Sequence, residues 1–412
     1  MQLTLLGIIW IPILLLSSLF SNVKGLLFVT LFSMVLQCDN IMYLGETAIG
    51  VQIFTVSFAI LRLLLNRFDK IKRKSASLFI ATLILLIIAL FLSCFVNQAW
   101  EINNLLGILM IVVYAVLAIL ITQKRINIDF NWLERVEDFI IIFVLIVGFL
   151  QVLSKSGFSS FDNMLTTLIY NDTQNTDVIF HHKPTAAFYS TFMEPSYCGA
   201  FLVASFTSVV LRSKASLKNV MLCAALMFVV LMTRSSTAFG GLAIMICLTL
   251  FVNAKKRLYK ALIPIVAVTA VIVWFFNMDL LNEVIFDKIG SAGSYTTRSN
   301  WNKYALEAFH KSPYFGIGFK NIRASSIYLS LLGEIGLVGI IPYTLLLLFC
   351  AVRLLSKRES IQVKSKLLFV FSIVVCQIIA CPDLNFSPFW LGIYLLMLTW
   401  RCEKNMVESH GG

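Results

Sequence analysis

Residues 77–96, SLFIATLILLIIALFLSCFV, contain no charged residue and follow the basic stretch RFDKIKRK at residues 67–74. A helix of about 20 residues spans the roughly 30 Å hydrocarbon core of a bilayer. A backbone that crosses this core must satisfy its own polar groups, and an α-helix does so. The run therefore predicts a transmembrane helix that begins next to a positively charged loop.

Similar runs fill the rest of the chain, in which 59% of the residues are hydrophobic and 13% are charged, with a mean hydropathy of +0.88. Soluble domains carry about 25% charged residues, so these values are typical of a membrane protein. We predict an all-α, polytopic membrane protein of about 12–14 transmembrane helices, forming a single integral membrane domain over residues 1–412. The predicted spans lie near residues 3–20, 24–38, 47–66, 77–96, 104–122, 138–155, 185–211, 218–233, 237–253, 260–277, 326–351, 367–381 and 387–400.

Charge assigns the loops to the two sides of the membrane. Six basic loops hold 22 of the 33 Lys and Arg residues, and by the positive-inside rule these loops are cytoplasmic. They lie at residues 67–74, 123–138, 212–218, 254–260, 353–366 and 401–404. The loops at 97–103, 156–184, 277–325 and 381–388 are then external. Strict alternation puts the N-terminal end outside as well, unless one of the first two runs is re-entrant or interfacial, and this point stays open.

Composition also argues against several function classes. The net charge of +12 does not indicate nucleic-acid binding, because the basic residues are spread over alternate loops. The nine cysteines form no CxxC pair and the four histidines no HExxH motif, so we predict neither a metal nor another cofactor. The sequence has no Walker-type phosphate loop, which argues against nucleotide hydrolysis.

The large external loop at residues 277–325 carries six cations against four carboxylates, on the side where few cations are expected. This excess suggests an anionic ligand, and a solvated loop surface is the alternative. Within the loop, residues 296–313 predict an amphipathic helix that ends at Ser312 and Pro313. Such a helix lies along the membrane interface with its aromatic residues toward the lipid.

Three residues outside this loop fall on the same predicted side. Arg234 lies between two apolar runs, and a cation at this depth marks a functional site by default; an arginine that reaches the lipid headgroups is the alternative. Glu194 precedes Pro195, a typical first-turn helical residue, so its carboxylate either caps that helix or faces a site at the outer leaflet. Asp383 is predicted to be a turn residue, with a place in the site as the alternative.

The predicted topology gathers Arg234, Arg298, Arg323 and Glu194 on one face. Arginine binds phosphate through two parallel hydrogen bonds and stays charged when partly desolvated. Such a set suits a diphosphate leaving group and an acceptor hydroxyl that must lose a proton. A diphosphate at the outer leaflet suggests a substrate carried on a polyprenyl lipid.

Three motifs carry a resemblance to a known family. The stretch RSNWNKYALEAFHKSPYFGIGF at residues 298–319, with SIYLSLLGEIGLVGIIPYTLLLL at 326–348, resembles the C-terminal motif of the O-antigen polymerase and ligase superfamily. FMEPSYCGAFL at 192–202 is similar to the Glu-Pro-Ser motif of surface-polysaccharide polymerases. MTRSSTAFGG at 232–241 is similar to the Ser/Thr and Arg stretch that precedes the family's large loop.

The resemblance implies an inverting, metal-independent glycosyltransferase of the membrane-integral C type. Its substrate would be an undecaprenyl-diphosphate-linked oligosaccharide in the bacterial inner membrane, with Arg298 and Arg234 on the donor diphosphate. The ligase branch typically carries a histidine at the start of the span after the large loop, where this chain has Ser325 or Ser326, and this favours a polymerase. Glu194 is the first candidate for the general base and His310 the second. A structural role is the alternative for both.

Rival functions remain at this point. They are a ligase that transfers finished polymer to a lipid A core, a transporter or flippase of lipid-linked sugar, and a non-catalytic assembly partner. A transporter predicts discontinuous helices with polar residues at mid-membrane and an internal repeat, and the sequence indicates neither. Glu334 is predicted to be a buried hydrogen-bonding residue between packed helices. The bilayer, a chain-length regulator and a flippase are the expected partners.

Overall fold

The computed structural model describes residues 2–19, 23–45, 47–65, 77–124, 126–156, 161–171, 187–212, 216–252, 292–357 and 359–410. These ranges contain fourteen helices and three short strands, which confirms the predicted all-α, polytopic membrane class. The helices are α1 (Leu5–Leu19), α2 (Val23–Ser33), α3 (Val51–Leu65), α4 (Ser77–Val96), α5 (Ile102–Gln123), α6 (Phe130–Lys155), α7 (Asp162–Leu168), α8 (Pro195–Val210), α9 (Leu217–Met232), α10 (Ser236–Val252), α11 (Ala292–Lys311), α12 (Ile327–Leu355), α13 (Ile361–Ile379) and α14 (Ser387–His410). The strands are β1 (Gln2–Leu3), β2 (Asn40–Leu44) and β3 (Thr47–Gly50).

The described helices follow the predicted spans closely. Five of them, namely α4, α5, α6, α12 and α13, are long and apolar enough to cross a membrane. The predicted span at 260–277 and most of the loop at 156–184 lie outside the described residues. The helix predicted at 296–313 is present as α11, which ends at Lys311 just before Ser312 and Pro313.

Contacts divide the chain into two compact units. The first unit consists of Met1–Lys72, Val116–Leu202 and Ser387–Gly412, and the second of Arg73–Ala115 and Val203–Phe386. The second unit contains α11, α12 and the loops that follow α4 and α13. All the contacts that build the main candidate site described below are made inside this second unit.

In the first unit, α1 and α2 form a helical hairpin whose open end is closed by a small sheet. Strand β1 pairs with β2 through Gln2↔Tyr43 and Leu3↔Met42, and β2 pairs with β3, all antiparallel. The sequence analysis did not predict this sheet, because strands of two to five residues inside apolar runs resemble parts of helices. With 15 and 11 residues, α1 and α2 rise only about 22 Å and 17 Å.

Two contacts orient this hairpin relative to the predicted loops. At its turn, Lys24 Nζ lies 3.4 Å from the Asp129 carboxylate, in a loop predicted to be cytoplasmic. At its open end, the backbone N–H of Asn40 donates to Asn171 Oδ1 at 2.7 Å, in a loop predicted to be external. The hairpin therefore runs from one predicted side to the other and back, which favours an external position for β1.

Helix α12 is broken at Gly336. Its φ of 60° and ψ of −159° are not helical, and they fall in a region that residues with a Cβ rarely adopt. The break leaves the carbonyl groups of Gly333 and Glu334 and the N–H groups of Leu337 and Val338 without their usual helical partners. The sequence analysis did not predict a discontinuous helix, because a glycine within an apolar run does not reveal its φ.

The turn at residues 312–318 supplies the missing partners, and we call this arrangement the clasp. Ile317 N donates to Gly333 O at 2.9 Å, and Gly318 N donates to Glu334 O at 3.0 Å. In the other direction, Leu337 N donates to Pro313 O at 2.9 Å and Val338 N donates to Tyr314 O at 3.0 Å. An irregular backbone is tolerated at membrane depth only where protein satisfies its polar groups. The clasp thus fixes the loop between α11 and α12 against the break.

Candidate functional site

Trp301 on α11 holds one of the predicted phosphate-binding arginines. The Arg323 guanidinium carbon lies 4.6 Å from the centroid of the Trp301 ring, which is a cation–π contact. Arg298 precedes Trp301 by three residues, and residues at this spacing are neighbours on one helical face, about 5–6 Å apart at Cβ. Arg298 is half-buried and Arg323 is exposed. The fold thus brings Arg323 to the Trp301 ring, on the helical face that Arg298 shares.

Lys320 links three parts of the second unit, and its neighbours form what we call the Lys320 cluster: Gly107, Asn385, Asp383 and Arg323. Its side chain lies across α5, because a Cβ at Gly107 would come within 2.7 Å of Lys320 Cε. The Asn385 amide is oriented by its neighbours: its oxygen accepts from Lys320 Nζ at 2.9 Å, and its nitrogen donates to Gly107 O at 3.0 Å. Lys320 itself has a φ of 63°, a left-handed conformation held by the turn around it.

Further contacts join the same three loops. Asn104 Nδ2 donates to Asn321 Oδ1 at 2.7 Å. A Cβ at Gly318 would lie 2.6 Å from the Ala99 Cβ. The loops at 97–103, 277–325 and 381–388, all predicted to be external, therefore meet at one place in the second unit.

Asp383 contributes a carboxylate to this cluster. Its Oδ1 accepts from the backbone N–H of Asn385 at 2.8 Å, and its backbone carbonyl accepts from Gln377 Nε2 at 2.7 Å. Burial raises the pKa of the Asp383 carboxyl above its usual range, and the nearby Lys320, the Asn385 N–H and Arg323 oppose that rise. The predicted turn residue is therefore also a half-buried acid next to two cations.

Arg234 lies at the corresponding end of α10. It occupies the turn before this helix with a φ of 51°, a conformation that costs free energy for a residue with a Cβ. Helix α10 packs on α13, where a Cβ at Gly240 would lie 3.4 Å from Ile379 Cδ1. Because α13 ends at Ile379 and leads into the Asp383 loop, Arg234 and Asp383 lie toward the same end of the second unit.

The structure puts Glu194 in the first unit, at the start of α8. Its carbonyl accepts from Cys198 N at 3.1 Å, and Ser196 Oγ donates to its carboxylate at 3.2 Å. Pro195 is the first residue of the helix, as predicted. The carboxylate is exposed, so its environment suits a helix N-terminus as well as a site at the surface.

His310 and Ser325 lie at opposite ends of the loop that the clasp holds. His310 is exposed in the last turn of α11, with Nδ1 at 3.0 Å from Leu306 O. Ser325, just before α12, donates from both N and Oγ to Asn302 Oδ1, at 2.9 and 2.8 Å. Glu334 is buried and accepts from Ser330 Oγ at 3.3 Å within α12. Within the described ranges, no three His, Cys, Asp or Glu side chains are grouped as metal ligands would be.

The sequence analysis did not assign a role to Lys320, Asn104 or Asn385. Each lies within a few residues of a predicted helix end, where polar residues are ordinary. The available signal was that Lys320 lies two residues after Gly318, the second glycine of the GIG turn, whose N–H donates to α12.

One family comparison covers most of these residues. A family model described as O-antigen ligase matches residues 219–344. No curated protein matches the chain. The matched segment contains Arg234, Arg298, His310 and Arg323, whereas Glu194 and Asp383 lie outside it. The match covers less than half of the chain; it supports the resemblance to the O-antigen polymerase and ligase superfamily and does not distinguish a polymerase from a ligase.

Proposed function

We propose that this protein is an O-antigen polymerase, which joins oligosaccharide repeat units carried on undecaprenyl diphosphate at the outer face of the bacterial inner membrane. The family match supports the reaction class, because members of this family act on lipid-linked sugars. The observation that carries the proposal is the stacking of Arg323 on Trp301, three residues along α11 from Arg298 and inside the matched segment. A chain-length regulator and a flippase would be its partners.

In this proposal, Arg298, Arg323 and Arg234 hold the diphosphate of the donor. Charge builds up on the diphosphate as its bond to the sugar breaks, and fixed guanidinium groups stabilise that charge without reorganisation. Stacking on Trp301 restricts the Arg323 side chain, so less rotamer entropy is lost when phosphate binds. Holding two lipid-anchored substrates in line lowers the barrier by several kcal/mol more.

The acceptor hydroxyl must lose a proton as it attacks the anomeric carbon with inversion. Glu194 and His310 are the two residues that the sequence analysis puts forward for this step. The contact of Glu194 with Ser196 supports an N-terminal capping role at α8 equally well. His310 lies on the same helix as Arg298, about 18 Å along its axis at 1.5 Å per residue, which disfavours a shared reaction centre.

A ligase is the second candidate, and the description of the matched family favours it. The ligase branch is expected to have a histidine where this chain has Ser325 or Ser326, and Ser325 is hydrogen-bonded to Asn302. We therefore favour the polymerase. A deletion strain separates the two: loss of a polymerase leaves one repeat unit on the lipid A core, whereas loss of a ligase leaves polymer on the carrier lipid.

The broken helix α12 could suggest a transporter, since transporters bind ions at such breaks. In this chain, however, the clasp takes up the four backbone groups released at the break. Ser93 Oγ on α4 adds a further contact, 2.8 Å from Glu334 O. The backbone groups at the break are therefore already hydrogen-bonded within the protein, which gives little support to ion coordination there.

The polymerase proposal is tested by replacing Arg298 with Ala and, separately, Arg234 with Ala. We expect each variant to lose about 100-fold in polymer formation, while a single repeat unit is still transferred to the core. The measurement is the ladder of lipopolysaccharide chain lengths in a complemented deletion strain, with protein levels checked in isolated membranes.

The matched control is Lys303→Ala on the same helix. The Lys303 side chain is 73% exposed and its partner Glu307 is 3.9 Å away, so we expect a ladder like that of the wild type. A full ladder from Arg298→Ala, at normal protein level, would remove this arginine from the mechanism.

A further inference from the structure

The carboxylate of Asp383 interacts electrostatically with Arg323, one of the two arginines near Trp301. Arg323 stacks on Trp301 and also acts electrostatically on Asp383. Lys320, a second cation acting on Asp383, is held by Asn385 and Gly107. Asp383 thus interacts electrostatically with Arg323, one of the residues proposed to bind the diphosphate.

The backbone holds Asp383 in a defined orientation. Gln377 Nε2 donates to its carbonyl at 2.7 Å, and Asn385 N donates to its Oδ1 at 2.8 Å. Among the described residues, no hydrogen bond is directed to Oδ2. One oxygen therefore orients the group, and Oδ2 is the oxygen that can accept a proton.

Resting on the polymerase function proposed above, we infer that Asp383 is the catalytic base that takes the proton from the acceptor hydroxyl. The hydroxyl proton passes to Asp383 Oδ2 while the hydroxyl oxygen forms a bond to the anomeric carbon of the donor sugar. The bond from that carbon to the diphosphate oxygen breaks, and its electron pair leaves with undecaprenyl diphosphate. Arg298 and Arg323 hold the charge that develops on this leaving group.

The surroundings of Asp383 suit this task. A general base works best when its pKa lies near the working pH, and burial raises the pKa of Asp383 in this direction. Four charged or titratable groups interact electrostatically with Asp383. Lys320 and Arg323 favour its ionised form. The other two are Glu334 on α12 and Tyr114 on α5. Neither exposed Glu194 nor exposed His310 has comparable surroundings.

The competing explanation is that Asp383 only shapes the turn before α14. Asparagine tests this directly, because its side-chain oxygen can accept the same bond from Asn385 N but cannot take a proton. We therefore compare Asp383→Asn with Glu307→Gln, an exposed carboxylate on α11 whose partner is Lys303. A purely structural Asp383 predicts that both variants behave like the wild type.

The experiment uses the full chain in lipid nanodiscs. Its substrate is the lipid-linked repeat unit extracted from the polymerase-deletion strain, and polymer formation is followed from about pH 4 to 9, a range chosen to bracket the ordinary aspartate pKa. We expect Asp383→Asn to lose about 100-fold or more of the rate, with normal insertion and thermal midpoint, and Glu307→Gln to match the wild type. The wild-type rate should rise with pH as Asp383 loses its proton, and the midpoint of this acid limb of the pH–rate profile should lie above the ordinary aspartate pKa.

A second variant keeps the inference falsifiable if Asp383→Asn fails to insert. Lys320→Met removes a cation that lowers the pKa of Asp383, so the acid limb should move to higher pH. An unmoved limb in Lys320→Met, or more than half of the wild-type rate in Asp383→Asn, would overturn the inference. The inference would also be overturned if Glu194→Gln abolished the acid limb of the pH–rate profile and Asp383→Asn did not.

These outcomes are separable from failure of the polymerase function itself. If the wild type forms no polymer from the lipid-linked unit, the polymerase proposal fails and the role of Asp383 fails with it. If the wild type and Asp383→Asn both form polymer, the polymerase proposal stands and only the assignment of the base is wrong.

Discussion

Replacing Gly336 with Ala should disrupt the clasp and destabilise the second unit. A Cβ at this position would lie 2.5 Å from both Tyr314 C and Tyr314 O and 2.7 Å from Phe315 N. All three are backbone atoms, so no side chain can rotate away to make room. The alanine would also have to adopt the φ of 60° and ψ of −159° of the break, which are essentially restricted to glycine.

The cost can be worked from the contacts. The backbone strain is about 1–3 kcal/mol. Separating the turn from the break weakens four backbone hydrogen bonds, each worth about 1 kcal/mol net. We expect a total loss of about 5 kcal/mol in the free energy of unfolding, well above the effect of most single substitutions.

Thermal unfolding of the detergent-solubilised protein measures this effect. We expect the midpoint for Gly336→Ala to fall by about 10 °C or more. Gly240→Ala is the matched control, because its Cβ would make an ordinary contact at 3.4 Å with Ile379 Cδ1 and alanine favours the helix by up to about 1 kcal/mol. A Gly336→Ala protein that unfolds at the wild-type temperature would refute the clasp as the element that holds the loop.

Asp129→Ala removes the N-cap of α6 and the ion pair with Lys24, and should cost about 1 kcal/mol at neutral pH. The N-cap hydrogen bond lowers the pKa of Asp129, so the contribution of Asp129 to stability is present above the ordinary carboxyl range and is lost as pH falls through the lowered pKa. The thermal midpoints of Asp129→Ala and the wild type should therefore converge in acid. A gap that stays constant with pH would contradict this. Arg323→Lys keeps the charge but loses the planar stack, so polymer formation should fall about 10-fold, whereas Trp301→Phe should fall less because it retains a ring. If the stack on Trp301 does not matter, Arg323→Lys should form polymer at the wild-type rate. In a variant without exposed native cysteine, an impermeant thiol reagent should label Leu44→Cys from outside and Lys24→Cys only after lysis; the reverse pattern would invert the proposed hairpin orientation.

Sequence reasoning predicted the helices well because apolar length and loop charge are direct consequences of the bilayer. It also predicted α11, since its aromatic spacing and its Ser312–Pro313 end are local signals. It missed the break at Gly336, because the conformation there depends on the turn at 312–318, which meets it only in the folded protein. The small sheet was missed for a related reason: β2 is paired by β1, which lies about 40 residues earlier in the chain.

The candidate site was predicted in part. Arg298 and Arg323 were predicted from their positive charge in a loop on the external side, where few cations are expected. The structure brings Arg323 to Trp301, which lies on the same helical face as Arg298. Lys320 and Asn385 could not be paired from sequence, because 65 positions separate them and neither belongs to a periodic pattern. Asp383 was predicted to be a turn residue, because a sequence shows the turn but not the cations that fold against it.

The four hydrogen bonds of the clasp join peptide groups, and Ser93 Oγ on α4 also bonds to backbone carbonyls there, so the side chains of the turn at 312–318 make none of these bonds. Positions 314, 315 and 317 could therefore be randomised in a library while the glycines and Pro313 are kept, and most members should still insert and fold. Under the proposed polymerase function, such a library would test whether side chains at these three positions affect which repeat units are joined, while the backbone that carries the neighbouring charges is kept.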